Sequence, residues 1–135
     1  MITYAKILIV LILMATTQCF SQQHCPSPKP LDLKEATGEW KGNFTYDGDL
    51  KKVTIQISEQ KGTLISKVSI PDMSKANLSA FTKICSGEEL HIEVVVNDKK
   101  FDFRGKPKKG KMSGRLISKD IMNETLREVF TLKRI

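Results

Sequence analysis

Two histidines and three cysteines leave little material for a zinc site and none for a Cys/His cluster. His24 and His91 lie far apart in the chain, and His91 reads as a solvated residue on a strand face. No serine or cysteine has a recognisable base partner, so nucleophilic catalysis finds no support. Glu88 and Glu89 are adjacent, and neighbours on a strand point to opposite faces, so they read as part of a turn. Aromatic residues are only 7% of the chain and do not interleave with the basic ones, which argues against base stacking and nucleic acid. We expect no enzyme, no metal and no cofactor. The unbroken apolar run Ile7 to Ala15 falls short of the roughly 20 residues that span a bilayer as a helix.

That run has a different use. Lys6 precedes it and the polar Thr16, Thr17 and Gln18 follow, the layout of a secretory signal peptide. Cys19 invites a lipoprotein reading, but the bulky Gln18 before it does not suit that cleavage site. We read residues 1–21 as the signal peptide, 22–37 as a Pro-rich, disordered leader and 38–135 as one folded domain. The expected location is the periplasm or the exterior, with no transmembrane span in the mature chain. Loss of the signal leaves Cys25 and Cys85, an even pair that an oxidising compartment would join as a disulfide. Asn43, Asn77 and Asn123 sit in Asn-x-Ser/Thr sequons, which matter only in a eukaryotic secretory pathway.

From Gly38 onward the hydrophobic period is two. Trp40, Phe44 and Tyr46 share a face with Gly42 between them, and Val53, Ile55 and Ile57 alternate with polar neighbours. Leu64, Val68 and Ile70 repeat the pattern, as do Leu90, Ile92, Val94 and Val96. Phe101 flanks Asp102 with Phe103, Met112 flanks Gly114 with Leu116, and Phe130 flanks Thr131 with Leu132. These are half-buried strands, and a weaker one near Leu78 to Ile84 brings the count to eight. Asp47-Gly48-Asp49, Gln60-Lys61-Gly62, Ser86-Gly87-Glu88, Asn97-Asp98 and Lys109-Gly110 supply the turn chemistry between them. Lys119 to Val129 fits either a helix or a long last hairpin. The fold class is all-β, an antiparallel up-and-down barrel or a sandwich.

Gly38-Glu39-Trp40-Lys41-Gly42 on the first strand, with Arg134 at the end of the last, resembles the lipocalin-like superfamily. The resemblance implies an eight-stranded barrel in which Trp40 packs near the base and Arg134 lies across it. Within it, the chain is most similar to the lipocalin-like domain found ahead of secreted α/β-hydrolases in bacteria of the Bacteroidetes kind. The motifs that carry this are Gly38 to Gly42, Ser69-Ile70-Pro71-Asp72, Phe103-Arg104-Gly105, Met112-Ser113-Gly114 and Phe130-Thr131-Leu132-Lys133-Arg134, in that order. No Gly-x-Ser-x-Gly elbow occurs, so the esterase activity of such proteins does not carry over. The implied protein is a stand-alone accessory barrel.

A barrel of this size holds packed side chains or one small ligand. The first functional expectation is a small hydrophobic molecule inside the barrel, lined by Phe44, Tyr46, Phe101 and Phe103, with the Ser69 to Ser74 loop closing one end. The alternative is an interaction module with a packed core, binding an envelope protein or an anionic surface through basic hairpins. Residues 99–135 carry 12 basic and 4 acidic groups, and Lys99, Lys100, Arg104, Lys106, Lys108, Lys109 and Lys111 gather about two successive turns.

Overall fold

The computed structural model describes residues 30–85, 87–119 and 125–135, with Thr125 and Leu126 described through their backbone. Eight antiparallel strands follow one another around a closed barrel: β1 (Gly38–Tyr46), β2 (Asp49–Gln60), β3 (Thr63–Ser69), β4 (Leu78–Cys85), β5 (Glu89–Val96), β6 (Lys99–Lys108), β7 (Lys111–Lys119) and β8 (Thr125–Arg134). β1 closes the barrel on β8, from Trp40 opposite Arg134 to Phe44 opposite Phe130. Residues 1–21, expected to be a signal peptide, lie outside the described residues, as do His24, Cys25 and Asn123. Among those described, no helix is long and apolar enough to cross a membrane.

Local chemistry explains the up-and-down order. Asp47-Gly48, Lys61-Gly62, Asn97-Asp98 and Lys109-Gly110 each have positive φ at both central residues. That is the turn whose twist matches two antiparallel strands. Of the two readings for Lys119 to Val129, the hairpin is the one formed over Thr125 to Val129, which pair with β7 from Lys119 to Arg115. Glu89 departs from the expected turn: it opens β5 opposite Cys85, leaving Glu88 in the connection.

The barrel base is capped from within the stretch expected to be a disordered leader. Leu33–Ala36 forms one helical turn, α1, capped by Asp32, whose side chain accepts from the Lys34 N–H. Ala36 is fully buried, and Leu31 and Leu33 pack against the core. The Trp40 indole N–H donates to Ala36 O at 2.8 Å. Arg134 places its guanidinium 5.8 Å from the Trp40 ring and donates from Nη1 to Lys34 O at 2.8 Å. Glu35 accepts the Lys109 N–H at 3.0 Å, tying α1 to the β6–β7 turn. The fold therefore includes residues before Gly38, as far as the Leu31 N–H that donates to Gly87 O among the described residues.

At the other end, Ile70 to Leu78 closes over the barrel mouth. Ile70 is buried, its carbonyl accepts from Met73 and Ser74, and Asn97 Nδ2 donates to Met73 O at 2.7 Å. Only three register pairs join β3 to β4, from Ser66–Ala80 to Val68–Leu78. Beyond them a side-chain bond, Thr82 Oγ1 to Ser66 Oγ at 2.8 Å, bridges the seam.

Candidate functional site

All four residues expected to line a ligand face the barrel interior. Phe44, Phe101 and Phe103 are buried, and Tyr46 is half-buried above them. The rings touch each other edge to face. Phe44 meets Phe101 at 6.0 Å and Phe103 at 5.5 Å, Phe103 meets Phe130 at 5.4 Å, and Tyr46 meets Phe101 at 5.2 Å. These separations lie in the range aromatic pairs prefer. Glycine at 105 makes room for one of them, since a Cβ there would come within 2.9 Å of Phe130 Cζ; at Gly114, opposite Gly105 and Phe130, a Cβ would run into the Arg104 backbone carbonyl. The sequence thus places its inward glycines beside its inward phenylalanines, and together they fill this part of the core with a buried aromatic cluster.

The basic residues are arranged differently from the sequence expectation of two neighbouring turns. Asn97-Asp98 and Lys109-Gly110 sit at opposite ends of β6, because a ten-residue strand separates them. Lys99 and Lys100 therefore stand at the mouth, and Lys106, Lys108, Lys109 and Lys111 at the base, roughly 30 Å along a strand of this length. Lys99 Nζ lies 5.1 Å from the Tyr46 ring centroid. Arg104, midway, bonds Asp102 Oδ2 through Nε at 2.7 Å.

At the base the register assembles a row that sequence reading missed. Lys108 lies opposite Lys111, Lys111 opposite Lys133, and Lys133 opposite Lys41. Four exposed lysines thus stand side by side across β6, β7, β8 and β1, about 4.8 Å from strand to strand. Lys41 pairs with Glu39 at 2.9 Å, and among the described residues no ion pair reaches the other three. Lys133 and Lys41 belong to different sequence segments from the basic hairpin, so only the pairing of β8 with β7 and β1 brings the row together. Above Lys41 and Lys133, Asn43, Thr131, Leu50 and Val129 line an open groove of ≈400 Å³ on the outer face. Leu50 and Val129 are 68% and 71% exposed.

A second polar group occupies the outer face of β4 to β6. His91, expected to be solvated, is only 7% exposed: Glu89 Oε1 lies 2.8 Å from its Nε2, and Lys83 and Arg104 stand opposite it on the neighbouring strands. Glu93 is bonded by Lys100 at 2.8 Å and approached by Lys83 at 3.6 Å. The Lys100 hydrogen bond holds its carboxyl below the ordinary carboxylate range; burial works in the other direction, and Lys83 adds to Lys100. No group of three or more metal-ligating side chains occurs among the described residues. Cys85 is a half-buried free thiol at the base end of β4, and its expected partner lies outside the described residues. No protein-family model matches the chain, and no curated protein matches it in sequence.

Proposed function

We propose that the protein is an exported, non-enzymatic barrel of the lipocalin-like kind that works from its outer surface, docking on an anionic envelope surface at its base. The observation that carries this reading is the lysine row of Lys108, Lys111, Lys133 and Lys41. Like charges directly opposite one another on neighbouring strands destabilise a sheet. Phosphate-bearing headgroups would relieve that repulsion, each nearby lysine contributing about 1 kcal/mol at an anionic membrane surface. Exposed Leu50 and Val129 lie in the same groove, at the level four residues up β1 and β8 from Lys41 and Lys133, about 13 Å toward the mouth. The other expectation, a small hydrophobic molecule inside the barrel, needs volume among Phe44, Phe101 and Phe103 that the rings take up against each other.

Co-sedimentation of the mature protein with phosphatidylglycerol-containing vesicles tests the reading, with phosphatidylcholine vesicles as control. Binding to the anionic vesicles alone, weakening as salt rises, is expected. Joint replacement of Lys108, Lys111 and Lys133 by Gln removes about 3 kcal/mol, or roughly 100-fold in affinity. Absence of binding, or equal binding by the triple variant, would refute it.

A further inference from the structure

The outward row formed by Phe81, Glu93, Asp102 and Ile117 runs across β4, β5, β6 and β7, each residue directly opposite the next. Outward positions on an antiparallel sheet are ordinarily wet, yet Asp102 is only 5% exposed. It lines a recess of ≈80 Å³ with Glu93, Lys100, Arg104, Ile117 and Lys119. Its Oδ2 accepts from Arg104, but its Oδ1, buried, receives no hydrogen bond from any described residue. A buried acceptor left without a donor is costly, so its persistence at the wall of a recess needs a physical reason. Glu93 beside it is already occupied by Lys100 and Lys83.

The charges around the recess restrict what would enter. Lys100, Arg104 and Lys119 disfavour a bare cation, although Asp102 Oδ1 needs a donor. A bare anion would suit the cations but would face that same unfilled carboxylate oxygen. A neutral group that donates from one atom and accepts at the next meets both demands, which describes the vicinal hydroxyls of a sugar ring. The recess has room for such a pair and not for the whole ring, so the ring would lie along the sheet face. Phe81, 63% exposed, stands two strand spacings from Asp102, about 10 Å, where an adjoining ring of a glycan meets an apolar platform. Lys83 flanks the platform, its Nζ 5.9 Å from the Phe81 ring centroid.

We infer that the Asp102 recess, with Phe81 at the end of its row, is a subsite for a neutral glycan. It is separate from the lysine row and does not depend on it. The test is a ¹H–¹⁵N NMR titration of the mature protein with chitotriose, maltotriose, cellotriose and mannotriose. Saturable shifts centred on residues 81, 93, 102 and 117, insensitive to salt, are expected with at least one of them. Asp102→Asn should weaken that binding by about tenfold or more, because one acceptor becomes a donor. Phe81→Ala, at an exposed position that leaves the fold intact, should weaken it severalfold and keeps the test valid if the Asn variant folds poorly. The inference is overturned if no trisaccharide gives saturable shifts, or if binding is unchanged in Phe81→Ala and in every Asp102 variant that folds.

Discussion

Replacing Phe103 by Ala removes a ring that is 1% exposed and packed edge to face against both Phe44 and Phe130. In a filled interior such a truncation costs the transfer free energy of the ring and leaves a cavity that neighbours only partly close. The expected loss is about 3–5 kcal/mol, to which the two edge-to-face contacts contribute about 0.5–1.5 kcal/mol each. Were the ring lining open space, one of its faces would have no packing partners to lose, and about 2 kcal/mol or less would follow. Urea unfolding followed by the fluorescence of Trp40, the single tryptophan, measures the difference. Phe103→Leu, which keeps most of the volume, should cost about 1–2 kcal/mol and gives a reference that stays well folded. A Phe103→Ala loss under about 2 kcal/mol would refute the packed interior.

Other consequences are equally open to measurement. Gly42→Ala drives a Cβ into the Thr131 backbone carbonyl and should cost about 3 kcal/mol or more, whereas Gly48→Ala meets no atom and carries only the strain of its φ of 78°, about 1 kcal/mol; thermal melts should rank them so. Glu93 has a lowered carboxyl pKa, so its contribution is present above the unfolded-state value and is lost as pH falls through the lower folded value. Stability should therefore decline more steeply below about pH 4.5 in the native protein than in Glu93→Gln, as acid titration of unfolding will show. Leu31 is anchored at Gly87, two residues past Cys85, and Cys25 lies six residues before Leu31, within about 20 Å of chain. Protein from an oxidising compartment should thus be about 2 Da lighter before reduction than after, and Cys85→Ser should cost it up to about 4 kcal/mol. An unchanged mass would remove the disulfide.

The strands were legible because the inward face of each is apolar and the outward face mostly polar, so the period of two survives in Val53-Ile55-Ile57 and Leu90-Ile92-Val94 as a direct trace of packing. The turns were legible because each places Gly, Asn or Asp at one or both of its two positive-φ positions, with Lys61 and Lys109 beside Gly62 and Gly110. At the base the Arg134 guanidinium lies 5.8 Å from the Trp40 ring centroid. What escaped was whatever depends on register between distant segments. Lys133 and Lys41 join Lys108 and Lys111 only through strand pairing, and sequence proximity instead grouped Lys99 and Lys100 with a turn at the far end of the barrel. His91 read as solvated because its parity is outward, yet neighbouring side chains cover it, as they cover Asp102 on the next strand. The leader concealed α1 for a different reason: one helical turn is too short for a hydrophobic period. Its only sequence mark is Asp32 followed three residues later by Glu35, the spacing of a capping box.

Function from the outer surface and function from a ligand inside the barrel differ most plainly in what the protein carries when it leaves its own host. Native mass spectrometry of mature protein purified from the host envelope, without refolding, reads this directly. A packed barrel predicts the mass of the polypeptide alone. An added mass of a few hundred daltons, released on denaturation and extractable into organic solvent, would contradict the account and return Phe44, Tyr46, Phe101 and Phe103 to the lining of a binding cavity.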